Sequence, residues 1–156
     1  MTGKKEIERK FIVKDYTYRQ LTKGEYCCQG YLNDDIERVV RVRILDEKAF
    51  ITVKGKNKGV IRPEYEYEIP LPDAQFMLND LCLRPLIEKI RYRVPQGKLI
   101  WEIDEFLGEN DGLIFAEVEL PDENYPIDPP AWIGEEVTFD EKYYNVNLLK
   151  NPYKNW

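Results

Sequence analysis

At 156 residues, 43% of them apolar and 33% charged, the chain is long enough for one domain with a real hydrophobic core beneath an unusually charged surface. A net charge of -6 argues against a nucleic-acid binder driven by an overall basic field, while leaving a local basic site open. The absence of histidine removes Ser-His-Asp triads, Cys-His pairs and His-ligated zinc, so any base or metal ligand must be a carboxylate, Lys, Tyr or Cys.

The three cysteines, Cys27, Cys28 and Cys82, are odd in number and lack CxxC or zinc-ribbon spacing, which predicts reduced thiols in a cytoplasmic protein. From Met1 to Glu6 the chain leads into no apolar stretch of signal length, and no run approaches the length of a membrane-spanning helix. Neither export nor a membrane partner is expected.

The first predicted element is a strand through Glu6-Ile7-Glu8-Arg9-Lys10 and on to Val13. Alternation puts Glu6, Glu8 and Lys10 on one face and Ile7, Arg9 and Phe11 on the other. Two carboxylates ~5 Å apart repel by about 3 kcal/mol at an effective dielectric of about 20. That face is therefore either a solvated surface of mixed charge or a place where a divalent cation turns repulsion into ligation. Asp15 to Thr22 predicts a short helix or helical turn, with Asp15 as N-cap and Gly24 as stop. Glu25 to Leu32 reads as a strand and Asn33-Asp34-Asp35 as a turn.

Arg38 to Leu45 alternates Val40, Val42 and Ile44 against Arg41 and Arg43, and Asp46-Glu47-Lys48 turns it into a hairpin with Ala49 to Lys54. Gly55 to Gly59 is a flexible basic loop. In Ile61 to Ile69, Glu64, Glu66 and Glu68 oppose Tyr65, Tyr67 and Ile69. Pro72 and Asp73 then open a helix through about Leu83, with Phe76, Met77, Leu78 and Leu81 as its apolar face.

Ile87 to Val94 sets Lys89, Arg91 and Arg93 against Ile90, Tyr92 and Val94; Lys98 to Phe106 sets Glu102 and Asp104 against Trp101 and Ile103; Leu113 to Leu120 sets Glu117 and Glu119 against Ala116, Val118 and Leu120. The Pro-rich stretch from Pro121 to Pro130 predicts an ordered surface connection docked by Trp132-Ile133-Gly134. Asp140 to Leu149 predicts a closing helix, N-capped at Asp140 and ended near Pro152.

Eight strands with tight turns predict a mainly β, α+β domain over residues 1–156: an eight-stranded antiparallel barrel with helices packed outside. The helices need an apolar surface to cover, so the charged strand faces point inward. The expected lumen holds nine acids (Glu6, Glu8, Glu64, Glu66, Glu68, Glu102, Asp104, Glu117, Glu119) and seven bases (Lys10, Arg41, Arg43, Lys54, Lys89, Arg91, Arg93). Such an interior cannot be a dry core. Its bases suit a polyanion and its acids suit Mg²⁺ or Mn²⁺. The competing reading is an open amphipathic sheet with salt-bridged charges facing solvent.

The signature Glu6-x-Glu8-x-Lys10, followed by Gln29-Gly30-Tyr31-Leu32, Arg41-x-Arg43, Thr52-x-Lys54-Gly55, Glu64-x-Glu66, Glu88-Lys89-x-Arg91-Tyr92, Trp101-Glu102-x-Asp104 and Ala116-Glu117-x-Glu119-Leu120, resembles the CYTH superfamily, the triphosphate tunnel metalloenzymes. It spans nearly the whole chain and is most similar to the small bacterial members, several of which hydrolyse inorganic tripolyphosphate. The resemblance implies a triphosphatase cleaving tripolyphosphate to pyrophosphate and phosphate with one or two divalent ions, Mg²⁺ or Mn²⁺. It implies that Lys10, Arg41, Arg43, Lys54, Lys89 and Arg91 grip phosphate oxygens. It also implies that Glu6, Glu8, Glu117 and Glu119 hold metal, with Glu64, Glu66, Glu102 and Asp104 ligating directly or through water. Lys89, Tyr31 and Glu119 are candidates for handling the proton of the attacking water. Arg93 and Glu68 suit structural ion pairing as well as substrate contact, and Arg62 and Lys56 are placed either to contact a polyanion at the mouth or, the preferred reading, as solvated loop charges.

Thiamine triphosphatase, nucleoside or RNA triphosphatase and class IV adenylate cyclase are alternatives on the same tunnel, and a noncatalytic polyphosphate-binding module is a further one. A nucleotide would need stacking groups, for which Trp132, Tyr143 and Trp156 are candidates. A small-molecule triphosphate is the expected partner, without nucleic acid; the resemblance also admits a homodimer.

Overall fold

In the computed structural model, which describes residues 4–156, alternation builds the expected strands: β1 (Lys4–Val13), β2 (Glu25–Tyr31), β3 (Val39–Leu45), β4 (Lys48–Lys54), β5 (Ile61–Ile69), β6 (Ile87–Gln96), β7 (Leu99–Phe106) and β8 (Ile114–Glu119). Met1, Thr2 and Gly3, part of the N-terminal reading above, lie outside the described residues. The strands run in the order β5-β4-β3-β2-β6-β7-β8-β1, and β1 pairs again with β5, closing an eight-stranded antiparallel barrel. Closure removes the unpaired edges of an open sheet, and it sets β1 between two acidic strands. Lys4 pairs with Glu64 and Glu6 with Arg62 on one side, Glu8 with Glu119 and Lys10 with Glu117 on the other.

A ninth strand, β9 (Ile133–Glu136), also pairs with β1 and was not expected from the sequence. It spans four residues, too few for alternation to be visible. Its neighbour Trp132 docks as predicted, 5% exposed, with its ring against Tyr18 and Trp101. Together with Phe11, Ile103 and Val118 these residues form an apolar layer outside the barrel wall. The short 3₁₀ turn Thr17–Gln20, where a helical turn was expected, contributes the fully buried Tyr18.

Helix α1 (Leu71–Asp80) is shorter than expected because Cys82 N turns back to Met77 O and Leu83 N joins Tyr31 O. The expected face is corrected as well. Ala74 and Leu78 are buried, whereas Phe76 is 67% and Leu81 64% exposed. At 100° per residue, position 76 lies nearly opposite 74, so composition alone misplaced the stripe.

The closing helix does not form. In its place stand two 3₁₀ turns, Glu141–Tyr143 and Asn145–Leu149, with Tyr144 extended between them (φ -71, ψ 128), followed by a third at Tyr153–Asn155. Asp140 caps the first turn, accepting from Lys142 N. The Asn147 amide donates to Glu141 O and draws a backbone carbonyl out of any helical ladder. This tail packs Tyr143, Val146 and Leu148 against the inward-facing Ile87, Phe106, Leu113 and Phe115, filling one end of the barrel.

Candidate functional site

The barrel interior above that plug is a cavity of about 370 Å³. Seven carboxylates line it (Glu6, Glu8, Glu64, Glu66, Glu102, Glu117, Glu119) beside eight cationic side chains (Lys10, Arg41, Arg43, Lys54, Arg62, Lys89, Arg91, Arg93). An open sheet facing solvent is thereby excluded. All six residues expected to grip phosphate converge here, and so does Tyr31.

Two expected lumen residues do not. Glu68, near the end of β5, is exposed and off the lining. Asp104, expected as a metal ligand, points inward with Glu102 but is 1% exposed and covered by its own partners: Arg91 Nε and Nη2 donate to its two oxygens at 2.8 and 2.9 Å, and Lys89 Nζ lies 2.8 Å from Oδ2. Both oxygens are occupied by cations, so Asp104 orients Arg91 and Lys89 instead of lining the cavity. Burial would raise its carboxyl, but Arg91 and Lys89 outweigh that and hold it at about 2.

Four clusters organise the lining. Lys54 Nζ donates to both Glu6 oxygens at 3.1 Å and lies 3.3 Å from Glu64. Arg41 and Arg43 share Glu66 Oε2 at 3.4 and 3.2 Å, and Thr52 Oγ1 donates to the same oxygen at 2.8 Å. At the open mouth Arg93, half exposed, and Arg91 both reach Glu102 Oε2 at 3.4 Å. At the plugged end Lys10 Nζ donates to Tyr143 O at 3.0 Å, pairs with Glu117 at 3.6 Å and stands over the Phe115 ring.

These pairings leave an imbalance. Arg41 Nε and Arg43 Nε are buried with no hydrogen-bond partner among the described groups. A buried guanidinium donor without an acceptor is costly, and an anion in the cavity would relieve it. The acids are crowded in the opposite sense. Glu6 and Glu64, and likewise Glu8 and Glu117, stand close enough for each carboxyl to shift the protonation of the other. Burial and the Glu6 contact push Glu64 up to about 7, while in Glu6 the pull of Lys54 and the Glu64 contact outweigh burial and hold it at about 2. Glu8 is raised well above the carboxylate range by burial, then by Glu117 and Glu6. Each pair therefore retains a proton where isolated carboxylates would have lost theirs.

Carboxylate oxygens held this close are the donor set of a hard divalent cation, so the lining fits such an ion. They stand in pairs: among the described residues no three acidic, Cys or His groups converge as a ready coordination shell. Water and phosphate oxygens would have to complete one.

Lys89, 1% exposed, donates to Asn145 Oδ1 at 2.9 Å as well as pairing with Asp104, and burial lowers its ammonium pKa. Tyr31 accepts from Gln29 Nε2 at 2.9 Å, and burial raises its hydroxyl. Of its two readings Arg62 takes the place on the cavity wall, while its guanidinium ties Gly55 O and Ile36 O at 2.7 and 2.9 Å. Lys56 is exposed and pairs with Glu37, as a loop charge should. Thr138, Tyr144, Asn145 and Asn57 also line the cavity and were missed. All four lie in loops or the tail, where no periodicity marks a facing direction. Trp132 and Tyr143 are engaged in packing and not free for a base, while the partly exposed Trp156 stacks edge-on against Tyr143.

A closed antiparallel barrel whose lumen alternates carboxylates with Lys and Arg defines a polyanion-binding tunnel domain, and the chain belongs to the family described as CYTH domain, matched over residues 4–148. A protein of Acetivibrio thermocellus named inorganic triphosphatase is 53% identical over 152 residues, covering 97% of each chain. An inorganic triphosphatase of Nitrosomonas europaea is 36% identical over 148 residues, covering 92% of this chain and 95% of its own. A crystal structure of an inorganic triphosphatase superposes with a TM-score of 0.65 at 32% identity over 92% of this chain and 93% of that one.

Proposed function

We propose that the chain hydrolyses inorganic tripolyphosphate to pyrophosphate and phosphate with Mg²⁺ or Mn²⁺. The observation that carries this reading is the pair of buried guanidiniums, Arg41 and Arg43, whose Nε donors lack partners beside a small cavity plugged at one end. Close relatives named inorganic triphosphatase support it.

In this reading Arg41, Arg43, Lys54, Arg91, Lys10 and Lys89 hold the phosphate chain and neutralise its charge. Glu6, Glu8, Glu64, Glu117 and Glu119 would hold the cation, with Glu66 and Glu102 within reach through water. When bound, the ion supplies charge neutralisation at phosphate oxygens and acidifies coordinated water. Water attacks the terminal phosphorus in line; its oxygen forms the new P–O bond as the bridging P–O bond breaks, and pyrophosphate leaves. Glu119, exposed at the end of β8 but with its carboxyl shifted upward by partial desolvation and then by Glu6, accepts the proton of the attacking water. Lys89 uses two N–H groups on Asp104 and Asn145, and its third orients water or a terminal phosphate oxygen. Tyr31, with its raised pKa, stays protonated and donates to the same region.

The plugged end favours a compact substrate over thiamine triphosphate, a nucleotide or an RNA end. No helix of the described residues is long and apolar enough to cross a membrane. A cytoplasmic location and a homodimer are part of this proposal, without nucleic acid as a partner. Phosphate release is measured from tripolyphosphate, ATP, thiamine triphosphate and pyrophosphate, each with Mg²⁺, Mn²⁺ or EDTA, with cyclic AMP sought in the ATP samples. Fast, metal-dependent release from tripolyphosphate above the others is expected; binding without turnover of any triphosphate would make the lumen a receptor.

A further inference from the structure

One amide reaches the site from outside the barrel strands. Asn145 opens the 3₁₀ turn Asn145–Leu149, whose Val146 and Leu148 are buried in the cluster filling the barrel end. Its Oδ1 accepts from Lys89 Nζ at 2.9 Å and from Gln29 Nε2 at 3.0 Å. The fully buried Gln29 uses the same amide nitrogen to donate to the Tyr31 hydroxyl at 2.9 Å. An ammonium can only donate, so chemistry requires that the oxygen of Asn145, and not its NH₂, face Lys89. A continuous hydrogen-bonded path thus runs from Tyr31 through Gln29 and Asn145 to Lys89 and on to Asp104.

We infer that Asn145 is a positioning residue: it fixes the direction of the Lys89 ammonium and, through Gln29, that of the Tyr31 hydroxyl, so that the C-terminal turns are a working part of the site as well as its plug. This rests on the reading of Lys89 and Tyr31 as groups that act on the substrate. A purely structural role fits less well. Packing of the turn is supplied by Val146 and Leu148, and removing the amide leaves Lys89 bonded to Asp104 and Gln29 bonded to Tyr31. Lys89 and Gln29 each lose the acceptor of one buried N–H but keep their other partner, so the loss falls chiefly on the direction in which the two groups are held.

The test compares Asn145→Leu with Asn145→Asp, which keeps an acceptor oxygen. Asn145→Leu is expected to lower kcat for tripolyphosphate about 10- to 100-fold, as misplacement of a reacting group does, with KM moving less than about threefold. Asn145→Asp restores kcat to within about fivefold of the parent, and in a Lys89→Arg/Tyr31→Phe background Asn145→Leu has almost no further effect, because both groups it orients are gone. A readout independent of turnover is the slowly exchanging ammonium signal of Lys89 in isotopically labelled protein, assigned by its loss in Lys89→Arg. That signal should shift in Asn145→Leu and stay near its place in Asn145→Asp. An unmoved signal in Asn145→Leu, or equal kcat losses in both variants that track a fall in Tm, would overturn the inference. If the parent hydrolyses no triphosphate, the functional proposal fails, and the ammonium signal alone decides whether Asn145 positions Lys89.

Discussion

Lys10 and Glu119 share a lumen face, yet their surroundings give them different work. Lys10 is anchored at the plugged end by Tyr143 O, Glu117 and the Phe115 ring, so its ammonium is a fixed point of positive charge. Glu119 forms no ion pair among the described residues; its side chain is exposed, and its carboxyl is shifted upward by partial desolvation and then by Glu6. Lys10→Ala should weaken tripolyphosphate binding about 10- to 100-fold, the worth of one charged hydrogen bond, and turnover with it. Glu119→Gln should reduce turnover about 10²- to 10⁴-fold while changing affinity less than about threefold. Calorimetric Kd beside initial rates separates the two; parallel losses in both variants would deny Glu119 its proton-handling role. Both residues were legible in the sequence because strand alternation assigns a face without knowledge of the fold. The face of Arg62 was legible by the same rule, since it stands two residues before Glu64 in Ile61–Ile69; what no local pattern announces is that two loop carbonyls hold its guanidinium.

The elements divide between a charged wall and the apolar layers that hold it. β7 shows the division, with Trp101 and Ile103 outward in the core cluster and Glu102 inward on the lining. Trp132, clamped by Tyr18 and Trp101, ties β9 and the Pro-rich connection to that wall. Trp132→Ala should therefore cost about 3 to 5 kcal/mol, read from chemical denaturation, with kcat per folded molecule unchanged at low temperature. A matching loss of kcat would mean that the outer layer sets lumen geometry directly. Strands with five or more alternating residues were predictable; the tail was not. Asp140 is a sound cap, but the helix expected after it gives way because Tyr143 O is held by Lys10 and the Asn147 amide competes for Glu141 O. Those are tertiary and side-chain contacts that propensity does not contain.

For the whole molecule, a lumen of paired acids makes stability depend on pH and on metal. Glu64 titrates near 7 when folded against an ordinary 4.5, so the folded state binds more protons between those values and loses stability as pH rises through them. Glu6 and Asp104, both at about 2, act oppositely: they contribute stability that is present above about 4.5 and lost only as pH falls toward 2. The metal-free protein should therefore melt at a lower temperature at pH 8 than at pH 5.5, and Glu64→Gln should reduce the difference. Mg²⁺ should raise Tm more at pH 8, where it replaces the lost protons. A Tm that rises from pH 5.5 to 8 without metal would contradict the paired-acid description.

The most direct measurement is phosphate release from tripolyphosphate by Arg41→Ala/Arg43→Ala beside the parent chain, with Tm followed for both. These guanidiniums crowd one another and share one carboxylate oxygen, so their removal should leave the fold intact. The prediction is a loss of kcat/KM of about 10²- to 10⁴-fold with Tm nearly unchanged, as expected for two charged contacts of about 1.5 to 3 kcal/mol each. Turnover within about tenfold of the parent would place hydrolysis outside the lumen and contradict the assignment of the barrel interior as the active site.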